Sequence, residues 1–156
     1  MHRATLLEEL ERIVSGPGTR HAALEKIAAL IKESGKHRWV GLYDVDHADG
    51  LVSNIVCAGP GAPEFPAFPI TKGLTGSAIT SRKTVNVGNV AGDPRYLTAF
   101  QTTQSEIIVP IFDSAQKNVV GTIDIESEQP NAFDPRTQGL LEECAELLRP
   151  WWQATH

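Results

Sequence analysis

The hydrophobic pattern at the start of the chain predicts two helices. Leucine, isoleucine and valine recur every three or four residues over 3–14, and a second stripe of the same kind occupies 24–31 and stops at Gly35. This spacing places apolar side chains on one face of an α-helix. A Ser-Gly-Pro-Gly run at 15–18 separates the two stripes, so the segment is predicted to form a helical hairpin.

From residue 39 the apolar period changes to two, the period of a β-strand. Val40 and Leu42 fall on one face of this strand, whereas Trp39 and Tyr43 fall on the other. A turn of sequence HADG leads into a returning strand, LVSNIVC, which completes a hairpin. Three later segments also have strand character: 84–87, 105–112 and 118–127.

Two long connections interrupt this series of strands. Proline and glycine dominate residues 59–69, which predicts an irregular surface loop in place of a central strand. Residues 72–80, KGLTGSAIT, are predicted to form a tight loop that enters a short helix with Thr75 as its N-cap. A second long loop then extends through Phe100.

The last helix is predicted to begin at Asp134, which acts as its N-cap, with Pro135 in the first turn. Its apolar stripe consists of Leu140, Leu141, Cys144, Leu147, Leu148 and Trp151. Cys144 is therefore interpreted as a core residue. Cys57, which ends a predicted strand, is interpreted as a small buried hydrophobic residue.

This order of elements predicts an α+β fold in which a central antiparallel sheet carries the long helices on one face. The loops must then cover the opposite face, where small-molecule pockets tend to form. The chain has 156 residues, of which 41% are hydrophobic, and this size fits a single domain over 1–156.

Composition narrows the possible functions. A formal net charge of −5 leaves no basic surface for nucleic acid. No apolar run approaches the ~20 residues of a membrane span and the N-terminus lacks a signal pattern, so a cytoplasmic location without a membrane partner is expected. Two cysteines outside CxxC spacing and five scattered histidines predict no disulfide, no metal site and no cofactor.

Candidate chemistry lies on the polar face of the predicted sheet. Asp124 and Glu126 are two residues apart on one strand, so both point away from the helices, and Glu106 on the preceding strand is within reach. With Trp39 and Tyr43 these carboxylates would form an aromatic-walled acidic site that suits an ammonium group. The alternative is a solvated strand face. If the loops close the site, repulsion raises the carboxyl pKa values and one group keeps a proton.

Five segments of the sequence resemble a GAF domain: WVGLY (39–43), KGLTG (72–76), SEIIVPI (105–111), GTIDIES (121–127) and NAFD (131–134). More closely, the chain resembles the small stand-alone GAF proteins that reduce free methionine-R-sulfoxide, over a core of about 20–150. The resemblance implies that an amino-acid ligand is held by Trp39, Tyr43, Glu106, Asp124 and Glu126. Glu126 stands where that family usually has Asp.

The same resemblance implies that the redox cysteines are missing. The family's cysteine positions correspond here to Thr75, to Ala99 and to a position near Phe65. Sulfoxide reduction needs a thiolate to attack sulfur and a second thiol to resolve the sulfenic acid. No catalytic residue is therefore predicted, and Thr75 is assigned to ligand binding, because N–H groups at its helix terminus can receive a carboxylate.

Three functions stay open. The preferred one is a sensor-type signalling module that binds an amino-acid-like or other small ligand without converting it. The second is a free methionine-R-sulfoxide reductase that uses Cys57 or an external thiol. The third is a protein-interaction or dimerisation domain, because Trp151 and Trp152 at the chain end suggest an interface and GAF domains commonly form homodimers through their helices.

Overall fold

The computed structural model describes residues 2–154, with side chains through residue 152. Its helices are Arg3–Ser15 (α1), Arg20–Ser34 (α2), Gly73–Ser81 (α3) and Pro135–Ala154 (α4). Its strands are Trp39–Asp46 (β1), Leu51–Ala58 (β2), Ala67–Pro69 (β3), Val85–Val87 (β4), Ser105–Phe112 (β5) and Val119–Ser127 (β6). The strands predicted from the sequence agree with these bounds to within one residue at each end.

The six strands form one antiparallel sheet in the order β3-β2-β1-β6-β5-β4. Strands β1 and β6 therefore form the middle of the sheet, and β5 lies on the other side of β6. Across this centre Trp39 is opposite Glu126, and Glu126 is in turn opposite Glu106. Gly41 of β1 is opposite Asp124. The register thus brings the predicted acidic and aromatic residues onto adjacent positions.

The helix face of the sheet carries the main apolar core. The core includes Val40, Leu42, Ile107, Val109, Ile123 and Ile125 from the strands and Leu10, Leu24, Ile31, Leu141, Cys144 and Leu148 from the helices. This arrangement confirms the predicted α+β fold, with the long helices on one face. Cys144 is completely buried, as predicted for a core residue.

The opposite face of the sheet is covered by the two long loops and by α3. Leu74 and Ala78 of α3 pack against Ile108, and Trp39 and Tyr43 belong to a separate cluster on this face. Because neighbouring residues of a strand point to opposite faces, Ile107 and Ile108 join different clusters. This second layer encloses the candidate site.

Side-chain caps start two of the long helices. Asp134 Oδ1 accepts a hydrogen bond of 2.8 Å from the N–H of Thr137, which confirms the predicted N-cap of α4. Thr19 Oγ1 accepts one of 3.1 Å from the N–H of Ala22 at the start of α2. No helix in the described part of the chain combines the length and the apolar composition that crossing a membrane requires.

The structure corrects two predictions about the loops. Thr75 is not an N-cap, because α3 begins at Gly73 and Lys72 precedes it. Gly73 has a φ of +72°, a conformation that glycine adopts without strain. The helix can therefore begin two residues before Thr75. The end of the 59–69 segment is also not irregular: β3 pairs with β2 at the sheet edge, where proline is tolerated.

Two further predictions about single side chains are wrong. Cys57 is exposed instead of buried. Trp152 is completely buried in the chain's own core, so the two C-terminal tryptophans do not form one exposed surface. Trp151 is partly buried beside it, with the two rings 6.4 Å apart. The homodimer stays a prediction that does not depend on Trp152.

Candidate functional site

Three carboxylates meet on the loop face of the sheet. Glu106, Asp124 and Glu126 are 5%, 5% and 2% exposed, and one carboxylate oxygen from each lies within 4.8 Å of the other two. Their positions follow from the period of two along β6 and from the β5–β6 register. The side chains are therefore not part of a solvated strand face, which was the alternative interpretation of the sequence.

Aromatic rings form the wall beside these carboxylates. The rings of Trp39 and Tyr43 fold over Gly41, where an added Cβ would lie 2.3 Å from the Trp39 ring and 2.9 Å from the Tyr43 ring. Phe100 from the second loop contacts Trp39 with ring centroids 5.1 Å apart, and Phe68 contacts Tyr43 at 6.0 Å. Gly41 therefore provides the space that the two rings occupy.

The loops leave little free volume over the carboxylates. The main cavity has about 30 Å³ and is lined by Tyr43, Phe65, Phe68, Gly73, Leu74, Thr75, Leu97, Ala99, Glu106 and Asp124. A neighbouring space of about 10 Å³ borders Trp39, Phe100, Thr103 and Glu126. Together they have room for one or two water molecules. A larger open groove of about 470 Å³, beside β5 and α4, contains none of the predicted site residues.

The hydrogen bonding of the carboxylates is incomplete. Glu126 Oε1 accepts hydrogen bonds from the hydroxyls of Thr103, at 2.8 Å, and Tyr96, at 3.2 Å. Asp124 Oδ1, Glu126 Oε2 and Thr122 Oγ1 are buried and have no hydrogen-bond partner within the described chain. Buried polar atoms are rarely left without a partner, so these oxygens mark a place where a ligand is expected.

Burial and mutual repulsion control the ionisation of this group. Burial, followed by the charges of Asp124 and Glu126, raises the pKa of Glu106 well above its ordinary value. Burial raises the pKa of Asp124 to about 6. Burial and the charge of Asp124 raise the pKa of Glu126 to about 8, against the hydrogen bonds from Thr103 and Tyr96. At neutral pH Glu106 therefore stays protonated and donates a hydrogen bond to Asp124, Glu126 is also mostly protonated, and Asp124 carries the negative charge.

The positions at which the resemblance implies cysteines come together at the main cavity. Phe65, Thr75 and Ala99 all line it, although they belong to three separate segments of the chain. The first loop is also joined to the second by a hydrogen bond of 3.3 Å from the N–H of Glu64 to the carbonyl of Ala99. Cys57 lines neither cavity, and its sulfur lies 3.8 Å from the carbonyl oxygen of Gly61.

Several residues of the site escaped the sequence analysis. Tyr96, Leu97, Phe100 and Thr103 lie in the loop between β4 and β5, where no periodic pattern assigns a direction to a side chain. Their aromatic and hydroxyl character was visible in the sequence, but their contacts with Trp39 and Glu126 depend on how the loop returns over the sheet.

This fold and pocket define the chain as a member of the GAF domain family, whose model matches residues 19–149. Over 143 residues the chain is 29% identical to GAF domain-containing protein A of Dictyostelium discoideum, covering 92% of this chain and 87% of that protein. It is also 30% identical over 112 residues to the free methionine-R-sulfoxide reductase of Saccharomyces cerevisiae, covering 70% of this chain and 60% of that protein.

The solved structures include a free methionine-R-sulfoxide reductase from Neisseria meningitidis in complex with its substrate. That structure superimposes with a TM-score of 0.88 at 29% sequence identity, covering 98% of this chain and 89% of the other. The chain is therefore a GAF domain related to free methionine-R-sulfoxide reductases.

Proposed function

We propose that this GAF domain binds a small amino-acid-like molecule through its ammonium group and does not chemically convert it. The observation that carries the proposal is the pair of unpartnered carboxylate oxygens, on Asp124 and Glu126, at the cavities under the loops. Asp124, which is ionised at neutral pH, needs a positive partner, and no basic residue of the described chain lines the main cavity that it borders. Arg38 lines the neighbouring cavity beside Glu126 but forms an ion pair with Glu128 at 3.2 Å. A ligand ammonium group supplies that charge.

The aromatic wall supports the same class of ligand. Tyr43 lines the main cavity and Trp39 lines the neighbouring one, so both rings are available to a cation held by the carboxylates. Cation–π contacts contribute on the order of 1–2 kcal/mol when they are desolvated. The pKa of the Tyr43 hydroxyl is raised by burial and then by the three carboxylates, so this ring stays neutral.

A carboxylate on the ligand has a second place to bind. Gly73, Leu74 and Thr75, the first residues of α3, line the main cavity. The N–H groups of a first helical turn have no partner within the helix and favour negative charge. The ligand's ammonium group would then face Asp124 while its carboxylate faces α3.

The absence of conversion rests on the side chains at the cavity. Reduction of a sulfoxide requires a thiolate nucleophile. Phe65, Thr75 and Ala99 offer a ring, a hydroxyl and a methyl group at the three positions where the resemblance implies thiols. A threonine hydroxyl, whose pKa lies far above that of a thiol, neither attacks the sulfur nor is recycled by reductants.

Binding requires the loops to move. The closed cavity is smaller than an amino acid, so the segment that carries Phe65 and the segment that carries Leu97 and Phe100 must shift outward. Phe65 is 41% exposed at the mouth of the cavity and has the least packing to lose. The ligand therefore replaces contacts between these loops and the sheet.

Calorimetry and thermal unfolding, both in EDTA, test the proposal. Methionine and methionine sulfoxide are compared with N-acetylmethionine, which lacks the ammonium group. At about 100 times Kd a ligand adds ~2.7 kcal/mol, and unfolding should shift upward by roughly 5–10 °C. Asp124→Asn should abolish the shift, whereas Glu8→Gln, an exposed carboxylate on α1, should preserve it. Equal binding of the acetylated compound would contradict the proposal.

One observation keeps the reductase as a second candidate. Cys57 is exposed, lies opposite Gly41 in the β1–β2 register, and contributes to the raised pKa of Tyr43, so a thiol lies close to the aromatic wall. If it reduces the ligand, dithiothreitol-driven turnover of free methionine sulfoxide should be measurable and should disappear in Cys57→Ser. Turnover in the original chain would overturn the non-catalytic proposal.

A further inference from the structure

We propose that Glu106, Asp124 and Glu126 bind one calcium ion while the loops are closed. The three side chains offer only oxygen atoms, the ligand type that hard divalent cations prefer. Three carboxylates provide up to six oxygens. They are also 95% or more buried, so an ion among them would be shielded from bulk water.

The spacing of the oxygens fits calcium. An ion can contact two oxygens only if their separation does not exceed twice the metal–oxygen distance. Calcium–oxygen distances of about 2.3–2.6 Å allow oxygens up to roughly 5 Å apart. Three oxygens that are 4.8 Å apart lie about 2.8 Å from their common centre, so side-chain shifts of a few tenths of an ångström would bring all three within the calcium–oxygen range.

A separate observation points to an occupant of this position. Asp124 Oδ1 and Glu126 Oε2 are buried without a hydrogen-bond partner in the part of the chain that the structure describes. Asp124 lines the main cavity and Glu126 the neighbouring one, so the two residues border free volume on either side of the cluster. The hydroxyls of Thr103 and Tyr96 already hold Glu126 through its other oxygen.

The free volume distinguishes a metal ion from a larger cation in this closed conformation. About 30 Å³ accommodates an ion with one or two waters and excludes an amino acid. Magnesium prefers distances of about 2.0–2.1 Å and usually keeps several waters, for which the cavity has no room. Calcium accepts irregular geometry and can draw most of its ligands from the three carboxylates.

The calcium proposal does not depend on the ammonium proposal, although both ligands would bind to the same carboxylates. Calcium would stabilise the closed loops, whereas an amino acid requires them open, so the two should compete. The two proposals can fail separately, because amino-acid binding is measured in EDTA and calcium binding is measured without amines.

The experiment uses the full chain after EDTA treatment and desalting. Calcium chloride should raise the unfolding temperature by roughly 5–10 °C at about 100 times Kd, with sodium chloride of equal ionic strength as the control. Magnesium should have a smaller effect. Manganese, observed by electron paramagnetic resonance, should show one bound ion per chain. Asp124→Asn and Glu126→Gln should each lose both signals, and Glu8→Gln should keep them.

Circular dichroism establishes that each variant is folded before metal is added. Three results would overturn the proposal: no response of the original chain to millimolar calcium or manganese, an unchanged response in folded Asp124→Asn, or more than one equivalent manganese ion, which would indicate surface binding. A calcium response in the original chain that disappears in both site variants would support it.

Discussion

The two faces of the sheet differ in how completely their buried groups are partnered. On the helix face, Ile123 and Ile125 of β6 pack in a core of apolar side chains. On the loop face, Asp124 and Glu126 of the same strand are similarly buried but keep oxygens without a partner among the described residues. Burying charge without compensation costs several kcal/mol. The helix face therefore stabilises the fold, while the loop face retains groups that serve binding at a cost in stability.

Adjacent substitutions on β6 test this contrast most strongly. Ile125→Ala removes a fully buried side chain from the helix-face core and should lower the free energy of unfolding by about 2–5 kcal/mol. Asp124→Asn removes a buried charge at the neighbouring position and should leave stability unchanged or increase it. Urea unfolding at pH 8 in EDTA measures both. A loss of more than 2 kcal/mol in Asp124→Asn would show that the carboxylate stabilises the fold.

The two faces should also respond to pH in opposite directions. His37 contacts Phe133 of the helix-face core, and burial followed by the charge of Lys32 lowers its pKa from 6.5 to about 4. Protonation then favours the unfolded chain, so stability should fall by about 3 kcal/mol as the pH drops from 6.5 to 4. His37→Gln should remove this dependence.

On the loop face the folded-state pKa values are raised to about 6 for Asp124 and about 8 for Glu126. The protonated forms stabilise the fold below about pH 4, and this contribution should be lost as the pH rises through 6 and 8. Taken singly, the two shifts correspond to about 3 kcal/mol for Asp124 and about 5 kcal/mol for Glu126. Urea midpoints measured from pH 4 to 9 in EDTA report the loss of stability toward low pH and toward high pH. Glu126→Gln should reduce the loss toward high pH. Stability that does not change between pH 6 and 9 in the original chain would contradict burial of these charges.

Glycines on the two faces offer a smaller test of rigidity. A Cβ at Gly121 would lie 2.5 Å from the ring of Trp152, whose indole N–H donates to Asp44 at 3.1 Å. Because that ring is fixed in the core, Gly121→Ala should cost about 1–3 kcal/mol. Gly41→Ala meets Trp39, whose indole N–H is bonded to a loop, so it should cost less stability but weaken ligand binding. Chemical unfolding and calorimetry separate the two effects.

The face on which a side chain lies was predictable in the regular strands and helices. Alternation along 118–127 was sufficient to place Asp124 and Glu126 on the face opposite Ile123, because the strand period is fixed by backbone geometry. The approach of Glu106 followed from the order of the strands. Helix spacing likewise predicted Cys144 in the core.

The remaining errors concern side chains whose positions depend on distant parts of the chain or on one backbone angle. The stripe of α4 was traced to Trp151, but the space left by Gly121 accepts the indole of Trp152 one position later. Thr75 resembled a cap until the positive φ of Gly73 moved the helix start. Tyr96 and Thr103 contact Glu126 from a loop without periodicity. Such contacts depend on tertiary structure and not on local pattern.

Tyr96→Phe is the substitution with the smallest expected effect on stability. It removes a hydroxyl that donates to Glu126 Oε1 at 3.2 Å while Thr103 still donates at 2.8 Å, so stability should change by only about 0.5–1 kcal/mol. The ring is kept, and the loop keeps its packing. If the loop face is organised for binding, this hydroxyl should affect ligand or calcium affinity more than unfolding, because it orients Glu126, whose other oxygen has no partner among the described residues. A variant that loses stability without any change in affinity would assign Tyr96 to the fold alone.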